Sequence, residues 1–493
     1  MSAGPAVPPF AAMSAAPLQA SASNPLLSAS ALLLLPVTVA CGNFMVSLDQ
    51  NIVVTALPGI GETLGRPANQ LGLVITVYVL TLIISMPLGG WLTERFGTRA
   101  CYTGALAIFA VTSIACGLSS TLWMLVLARA FQGFGGALMG TVGQVAILRA
   151  FPRSRILKIN IYMSMASQIG PLVGPLVGGA LTTYLSWHWI FFVNAPLALG
   201  ATAMALPSFP RKTTGQAPRL DLVGFILLST GMTLLVFCMD SLGDRNQSAW
   251  IVAALLILSA AVLGAAVLYL LRARNPLLDL RLVRIRTLRI SLLTGGGLDT
   301  IGMTAVTLLL PLMLQVGFGM TAVQAGSWTF IIGIGSMFPR FFLPTVLKRF
   351  GFRRVLVANT PVVALMIGGF ALFQPTTPMW FGLAYIFVCG FSRSIQWGTA
   401  ANLSYADVGA EQLPDYSALY YIFWRLSVSV SMGTATAFLS LLASPDGRSS
   451  PGDFRLAFLC EALITLCAVL AYRRLAPDDG ASVSGYRADL AAD

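Results

Sequence analysis

The sequence predicts an all-α polytopic membrane protein with fourteen transmembrane helices, arranged as two six-helix bundles with two extra helices between them. Three observations predict this fold: the composition, a series of long apolar runs, and the placement of the basic residues. Hydrophobic types make up 56% of the 493 residues and charged types only 10%, and the mean hydropathy is +0.80. Soluble domains carry about 25% charged residues, so most of the outer surface of this chain must face lipid.

The apolar runs are long enough to cross a membrane as helices. A spanning helix needs about 20 mostly apolar residues, and its backbone groups must be satisfied within the segment, which excludes open strands. The runs are also too long and too continuous for the strands of a barrel. The fourteen predicted spans are residues 31–57, 70–93, 100–118, 122–147, 159–184, 188–207, 221–240, 249–271, 288–316, 321–346, 355–373, 379–403, 416–443 and 454–472.

The basic residues alternate from loop to loop in the way that cytoplasmic and outer loops do. With both termini in the cytoplasm, 22 of the 30 Lys and Arg residues fall in cytoplasmic segments and four in outer segments. The remaining four are Arg129, Arg340, Arg393 and Arg425, which lie inside predicted spans. A missed helix would disturb the alternation beyond it, so the split supports the span count. The net charge of +12 then belongs to a membrane face, and we expect no nucleic-acid partner because no basic domain is present.

A short repeated segment indicates that the chain contains two related halves. Residues 94–99 read E-R-F-G-T-R after the second span, and residues 348–353 read K-R-F-G-F-R after the tenth. Two parallel halves are a known transporter plan. We therefore predict five parts: a disordered, uncharged tail at 1–30, a six-helix bundle at 31–207, two inserted helices with a basic cytoplasmic linker at 208–287, a second six-helix bundle at 288–475, and a cytoplasmic tail at 476–493.

Five motifs give the chain a resemblance to a known family. Residues 48–58 read L-D-Q-N-I-V-V-T-A-L-P, residues 89–99 read G-G-W-L-T-E-R-F-G-T-R, and residues 129–136 read R-A-F-Q-G-F-G-G. Residues 170–179 read G-P-L-V-G-P-L-V-G-G, and residues 187–196 read W-H-W-I-F-F-V-N-A-P. These motifs are similar to those of the fourteen-helix drug:proton antiporter branch of the major facilitator superfamily. The resemblance covers nearly everything from residue 45 to residue 475.

Two of these motifs have a clear physical role. In the cytoplasmic loop motif, formed by Gly90, Glu94, Arg95, Gly97 and Arg99, glycine allows close packing and the acid can pair with a neighbouring arginine or a helix N-terminus. Glu94 stands where the family usually has Asp. The antiporter motif is formed by Gly170, Gly174, Pro175, Gly178 and Gly179. Its glycines at every fourth residue allow a neighbouring backbone to approach closely, and its prolines can bend the helix. A generic small-residue packing face is the alternative explanation.

Titratable side chains inside the spans are the candidates for proton coupling. Asp49 lies in the first span and Asp299 about mid-way along the ninth. An intramembrane acid is a functional candidate by default, and the alternative is a structural hydrogen bond or an ion pair with an arginine. Arg129 is expected to have a partner inside the bundle, and it can bias protonation of Asp49 by approaching it or moving away.

Other polar and aromatic residues of the spans are candidates for a substrate cavity. The candidate cavity residues are Gln132, Trp397, Trp424 and Arg425. Cation–π contacts with flat or cationic drugs would suit the aromatic members, and an interfacial belt of Trp and Tyr is the alternative. We expect Arg393 to lie near the inner interface and to reach towards water.

The resemblance implies a secondary active transporter that exports small organic or drug-like molecules by proton antiport with alternating access. A proton-coupled symporter for uptake of a small metabolite on the same fold is the alternative. An enzyme is not expected, because the chain has one histidine and lacks both H-E-x-x-H and G-x-x-x-x-G-K-[ST]. We expect no metal site, no disulfide framework and no cofactor beyond the proton gradient.

The expected surroundings of the transporter follow from the same reading. The partners are a small-molecule substrate, protons and the lipid bilayer, and the need for a periplasmic adaptor is left open. The composition, rich in Ala and Arg and poor in Lys, favours the cytoplasmic (inner) membrane of a bacterium with a GC-rich genome.

Overall fold

The computed structural model describes residues 29–65, 68–210, 220–242, 248–274, 276–320, 322–409, 412–442 and 451–486. All regular elements in these ranges are helical. The predicted tail at 1–30 lies outside the described residues except for its last two positions, and so do residues 487–493 of the predicted tail at 476–493.

The first half of the chain is built from eight helices, two of which are the second parts of broken ones. They are α1 (Ala29–Leu64), α2 (Ala68–Ser85), α3 (Leu88–Phe96), α4 (Thr98–Gly117), α5 (Leu122–Ala150), α6 (Arg153–Tyr184), α7 (Trp189–Phe192) and α8 (Asn194–Ser208). Two helices follow, α9 (Leu222–Leu242) and α10 (Ala249–Arg272).

The second half begins with a long helix that contains two π-helical turns, α11 (Arg286–Gly317). The helices after it are α12 (Ala322–Met337), α13 (Pro339–Gly368), α14 (Met379–Leu403), α15 (Leu413–Leu442), α16 (Pro451–Tyr472) and the short α17 (Ala481–Ser484). Ten helices in the described ranges are long and apolar enough to cross a membrane, or eleven if the α2–α3 pair counts as one span. The chain is therefore a multi-pass helical membrane protein, and the count of fourteen stays a prediction.

The second helix of each half is interrupted at a proline. The predicted span 70–93 is broken between Ser85 and Leu88, at Pro87, and α2 and α3 are bent by 57° to each other. The predicted span 321–346 is broken between Met337 and Pro339. Proline lacks the backbone N–H that a helix interior needs, but it fits the first turn of a new helix.

The repeated loop segment takes the same backbone conformation in both halves. Gly97 has φ 83° and ψ 156°, and Gly351 has φ 73° and ψ 165°. Only glycine adopts this region without strain. Gly97 ends α3 and Gly351 interrupts α13, so the repeated letters correspond to a repeated backbone conformation. The division into two related six-helix halves stays a prediction.

The hydrophobic side chains form three cores. The largest contains residues of both halves, among them Val39, Ile147, Leu347 and Tyr405. The second core contains residues of the second half only, such as Leu309, and the third residues of the first half only. The halves therefore share a core at the end that carries Gly97 and Gly351, and they have separate cores at the other end.

The two inserted helices lie beside the halves. On α9, the Ser229 hydroxyl donates to the carbonyl of Ile84, at 3.5 Å, on α2. A Cβ atom at Gly433 on α15 would lie 2.6 Å from the sulfur of Met239 on α9. Since only 11% of its apolar segment is buried, α10 is the least buried of the ten apolar helices.

Candidate functional site

A cavity of about 1530 Å³ lies between the two halves. Its wall is formed by α1, α2, α5 and α6 of the first half and by α11 to α15 of the second. Three of the four predicted cavity residues, Trp397, Trp424 and Arg425, line it. A central cavity shared by two bundles is the usual place for a transporter's substrate site.

The first buried polar cluster surrounds Asp49 inside the first half. Its carboxylate accepts from Arg129 Nη1 at 2.6 Å on Oδ2, and from Gln132 Nε2 at 3.1 Å and Asn194 Nδ2 at 3.0 Å on Oδ1. The amides of Gln132 and Asn194 also donate to the Ser113 hydroxyl, at 3.1 and 3.2 Å. Since these five side chains are at most 1% exposed, the cluster is a fully desolvated ion pair held by neutral hydrogen-bond donors.

Arg129 is held on several sides within this cluster. Besides Asp49, its Nη1 donates to Gln132 Oε1 at 2.8 Å, and its guanidinium lies 4.1 Å from the ring centre of Tyr78. The expectation that Arg129 has a partner in the bundle interior is met by Asp49 itself. The prediction that Gln132 lies in the cavity wall is wrong, because Gln132 is not among the residues that line the cavity. Its side-chain amide instead makes hydrogen bonds with Asp49, Arg129 and Ser113.

The second buried polar cluster surrounds Asp299 inside the second half. Its Oδ2 accepts from the Tyr472 hydroxyl at 2.6 Å and from Gln396 Nε2 at 2.7 Å. Gln396 Nε2 also donates to the Thr360 hydroxyl at 2.6 Å, and Asn359 Nδ2 donates to Gln396 Oε1 at 2.9 Å. Within the described residues, Asp299 has no ion pair and its Oδ1 has no hydrogen-bond partner. Asp299 is therefore a buried acid held only by neutral groups.

Asp299 lies directly behind the cavity wall. It borders a small side pocket of about 20 Å³, and Trp397, Tyr420 and Trp424 line both this pocket and the central cavity. Asp49 lines neither space. Of the two acids, only Asp299 therefore borders a space that shares wall residues with the cavity.

Three arginines of the second half line the cavity: Arg340 on α13, Arg393 on α14 and Arg425 on α15. Arg340 Nε donates to the carbonyl of Ser336 at 3.1 Å, and the Arg425 guanidinium lies 4.9 Å from the ring centre of Trp424. The side chain of Arg393 lines the cavity between the halves, and its expected position near the inner interface stays a prediction.

The antiporter motif packs α6 against α1. A Cβ atom at Gly170 would lie 2.6 Å from Ser47 Oγ and 2.7 Å from the backbone nitrogen of Leu48. A Cβ atom at Gly174 would lie 2.9 Å from the Cβ of Asn51. Both glycines therefore permit the close backbone approach that their spacing predicts.

The other members of the antiporter motif do not all share this face. Gly178 is buried, and its carbonyl accepts from the Thr182 hydroxyl. A Cβ atom at Gly179 would meet nothing within 4 Å. Helix α6 continues through Pro175, whose side chain lies outside the described residues.

The cytoplasmic loop motif closes the turn between α3 and α4. Gly90 is buried, and the Gly97 N–H donates to the carbonyl of Thr93 at 2.9 Å to end α3. Glu94 pairs with Arg149 of α5 at 3.2 Å, with the two side chains 40% and 37% exposed. The expected pairing of the acid with a neighbouring arginine is thus present. Arg95 is exposed and Arg99 is half-buried.

The residues missed from the sequence are mostly neutral polar side chains. Gln396, Tyr472 and Asn194 hold the two buried acids, and Asn194 stands in the motif at 187–196 that already marked it. Glu461 on α16 is a further buried acid, 0% exposed, whose Oε1 accepts from Thr434 at 3.0 Å. A search of the predicted span 454–472 for acidic residues would have found it.

The fold and the cavity are those of a polytopic helical membrane protein whose helices surround a large central cavity. Residues 39–432 match the family model of the Major Facilitator Superfamily, and the chain belongs to this superfamily. The chain is 34% identical over 459 residues to the "Putative multidrug resistance protein MdtD" of Escherichia fergusonii. The aligned residues cover 90% of this chain and 95% of that protein. This relationship confirms the resemblance to the multidrug branch.

Two solved structures have the same overall fold. The proton:xylose symporter XylE is 13% identical with a TM-score of 0.60, covering 92% of this chain and 97% of XylE. The fucose:proton symporter FucP of E. coli is 14% identical with a TM-score of 0.58, covering 90% of this chain and 99% of FucP. At this level of identity the likeness establishes the fold alone.

Proposed function

We propose that this protein is a fourteen-helix secondary transporter that exports small organic or drug-like molecules in exchange for protons. The observation that carries the proposal is a buried acid, Asp299, directly behind the wall of a large cavity between two helical halves. Among the residues that the structure describes, Asp299 has no cation partner. The multidrug resistance relative supports export of small molecules. The drug:proton antiporter motif in α6 supports exchange rather than co-transport.

A count of fourteen spans is compatible with the helices observed. The bent pair α2–α3 would form one span and the pair α7–α8 another. The break at Gly351 would divide α13, so that its first part continues α12 and its second part forms a separate span. This count places both termini on the same side, and the excess of basic residues assigns that side to the cytoplasm of a bacterial inner membrane.

The arrangement of the three cores supports an outward-facing state in this topology. The shared core lies at the end that would be cytoplasmic, whereas the outer ends of the halves have separate cores. The cavity would then be closed to the cytoplasm and reachable from outside. Alternating access requires the reverse state, in which the shared core separates.

Asp299 is the better candidate for the proton-carrying group. A proton that reaches Asp299 neutralises a charge that no described cation balances, whereas a proton that reaches Asp49 must displace Arg129 from its 2.6 Å contact. We assign Asp49 and Arg129 to the coupling of helix positions within the first half. Movement of α5 against α1 would change their distance.

Two measurements on the full chain test this proposal. Expression in an efflux-deficient host, with a panel of toxic compounds and with or without a protonophore, identifies a compound whose export depends on the proton gradient. In proteoliposomes with that compound, we expect Asp299→Asn to keep substrate counterflow and to lose substrate-driven proton movement. The matched control is Asp478→Asn, at an exposed position after α16, which should keep both activities.

Two results would contradict the proposal. If Asp299→Asn retained full proton movement, Asp299 would not carry the proton. If substrate and protons moved in the same direction across the vesicle membrane, the protein would be a symporter for uptake.

A further inference from the structure

The wall of the central cavity is positively charged. Arg340, Arg393 and Arg425 line it, and none of the described lining residues is an Asp or a Glu. Asp49 is paired with Arg129 inside the first half, and Asp299 borders the small side pocket and does not line the cavity itself. An organic cation held by the aromatic rings of this wall would meet guanidinium groups beside them: Arg425 lies 4.9 Å from the ring centre of Trp424, and Arg340 lies 6.0 Å from that of Trp397.

Two of the three arginines have a buried N–H group without an acceptor among the described residues. Arg393 Nη1 and Arg425 Nε are buried and have no hydrogen-bond partner among the described residues. Burying an arginine without a counter-ion is costly, and the cost is offset when an anion arrives. Because the guanidinium group is a planar fork of donors, it suits carboxylate, sulfonate and phosphate groups.

The remainder of the wall fits an apolar, flat body. Trp397, Trp424, Tyr420 and Tyr421 belong to the same half of the wall as the arginines. The wall of the first half carries neutral amides instead, including Gln50, Asn51, Gln144 and Gln168. Charge recognition is therefore confined to the second half, whereas the first half offers neutral hydrogen bonds.

We propose that the cavity binds organic anions with an aromatic or otherwise flat apolar body, the anionic group lying among Arg340, Arg393 and Arg425. This inference rests on the proposed function only in taking the cavity as the transport site. It replaces the cationic drugs considered from the sequence, since the aromatic residues lie beside guanidinium groups that repel a cation.

The test compares three probes with one ring system and different charge: indole-3-acetate, tryptamine and indole-3-ethanol. Binding of each to the full chain in phosphatidylcholine nanodiscs is measured by equilibrium dialysis at pH 7, without a proton gradient. We expect the anion to bind at least about tenfold more tightly than the cation and the neutral alcohol, because a charged hydrogen bond is lost in the other two. Equal binding of all three probes, tightest binding of the cation, or no binding of the anion would overturn the proposal.

Arginine variants locate the binding. We expect Arg425→Gln and Arg393→Gln each to weaken indole-3-acetate binding by at least about tenfold and to leave indole-3-ethanol within about twofold. Arg425→Lys should give an intermediate loss of affinity. This variant replaces Arg425→Gln in the test if the glutamine variant does not fold. The control is Arg272→Gln, at an exposed position at the end of α10, which should bind as the parent does. Equal losses for the anion and the alcohol would overturn the assignment.

Two further arms separate the other outcomes. Repeating the titration with phosphatidylglycerol in the nanodiscs distinguishes a free anion from a lipid headgroup: unchanged affinity supports the free anion, and competitive loss overturns it. Because binding is measured without a gradient, anion binding without proton-linked export would contradict only the proposed function. Proton-linked export of a cation, without anion binding, would contradict only the substrate class.

Discussion

Gln132 and Gln396 make the same contact in the two halves, since each donates its side-chain amide to the buried acid on the first helix of its own half. The distances are 3.1 Å from Gln132 Nε2 to Asp49 Oδ1 and 2.7 Å from Gln396 Nε2 to Asp299 Oδ2. The two clusters differ in charge. An arginine balances Asp49, and no described cation balances Asp299. The charge of Asp49 is therefore balanced within the first half, whereas no described cation in the second half balances the charge of Asp299.

This difference predicts opposite effects of two matched substitutions on thermal stability. Asp49→Asn leaves Arg129 buried and unpaired, and breaking a buried pair from one side costs about 3–5 kcal/mol. Asp299→Asn removes a buried charge that has no counter-ion in the described part of the chain, so we expect stability equal to or above that of the parent. The measurement is the unfolding midpoint of the purified variants in one detergent.

A double variant checks the cause. Asp49→Asn combined with Arg129→Leu should recover part of the stability lost in Asp49→Asn, because the unpaired guanidinium is gone. A loss in the double variant equal to the sum of the single losses would show that the ion pair does not couple the two positions.

The close packing of α6 on α1 predicts a sharp contrast between two glycines of one motif. Gly170→Ala places a methyl group 2.7 Å from the backbone nitrogen of Leu48, which cannot move without displacing the helix. We expect a destabilisation of about 1–3 kcal/mol and a loss of transport of at least about tenfold. Gly179→Ala meets nothing within 4 Å and should change stability by less than about 0.5 kcal/mol. Transport assays and unfolding midpoints of the two variants test this contrast. If Gly170→Ala and Gly179→Ala changed transport and stability equally, the motif would not act through the contact between α6 and α1.

The two loop glycines predict a cost that comes from the backbone. Gly97→Ala and Gly351→Ala force a side chain into a conformation that only glycine adopts freely, at a cost of about 1–3 kcal/mol each. Gly351→Ala should be the more damaging, because its Cβ atom also lies 3.1 Å from the ring of Tyr486. Gly104→Ala, inside α4 with open space around it, is the control and should be neutral or slightly stabilising. Unfolding midpoints that rank Gly104→Ala with the other two would refute the backbone explanation.

Much of the fold could be predicted from composition and loop charge, because a lipid-facing surface imposes long apolar runs and cytoplasmic loops collect arginine. Proline indicates a possible helix break at Pro87 and Pro339. The predicted spans nevertheless run through both positions, because the residues around each proline are apolar and hydropathy alone does not mark a break. The repeat at Gly97 and Gly351 is visible in the sequence, but the positive φ angle that the two glycines share is a property of the folded chain.

The candidate site was predictable where it carries charge and less so where it does not. Asp49 and Arg129 stand out because charges are rare in spans, and their contact follows from the need of each for a partner. Gln396 and Tyr472 do not stand out, since neutral polar side chains are common in helix packing. The neighbours that the side chains of Gln132 and Arg393 face depend on the rotation of each helix about its axis. A helix that is apolar on all sides has no polar face in its sequence that would indicate this rotation.

The pair between Glu94 and Arg149 predicts a small effect on stability. Both side chains are more than one third exposed, at 40% and 37%, and exposed pairs contribute at most about 1 kcal/mol because water and salt screen them. Glu94→Gln should therefore lower the unfolding midpoint much less than Asp49→Asn does, and added salt should reduce the difference from the parent. Glu94→Asp restores the residue usual in the family, but its shorter side chain draws the carboxylate back from the 3.2 Å contact, so it should match Glu94→Gln in stability. If Glu94→Gln abolished transport while stability held, the acid would act in the movement of the loop. A large loss of stability would instead mean that this pair is needed to hold α3 against α5.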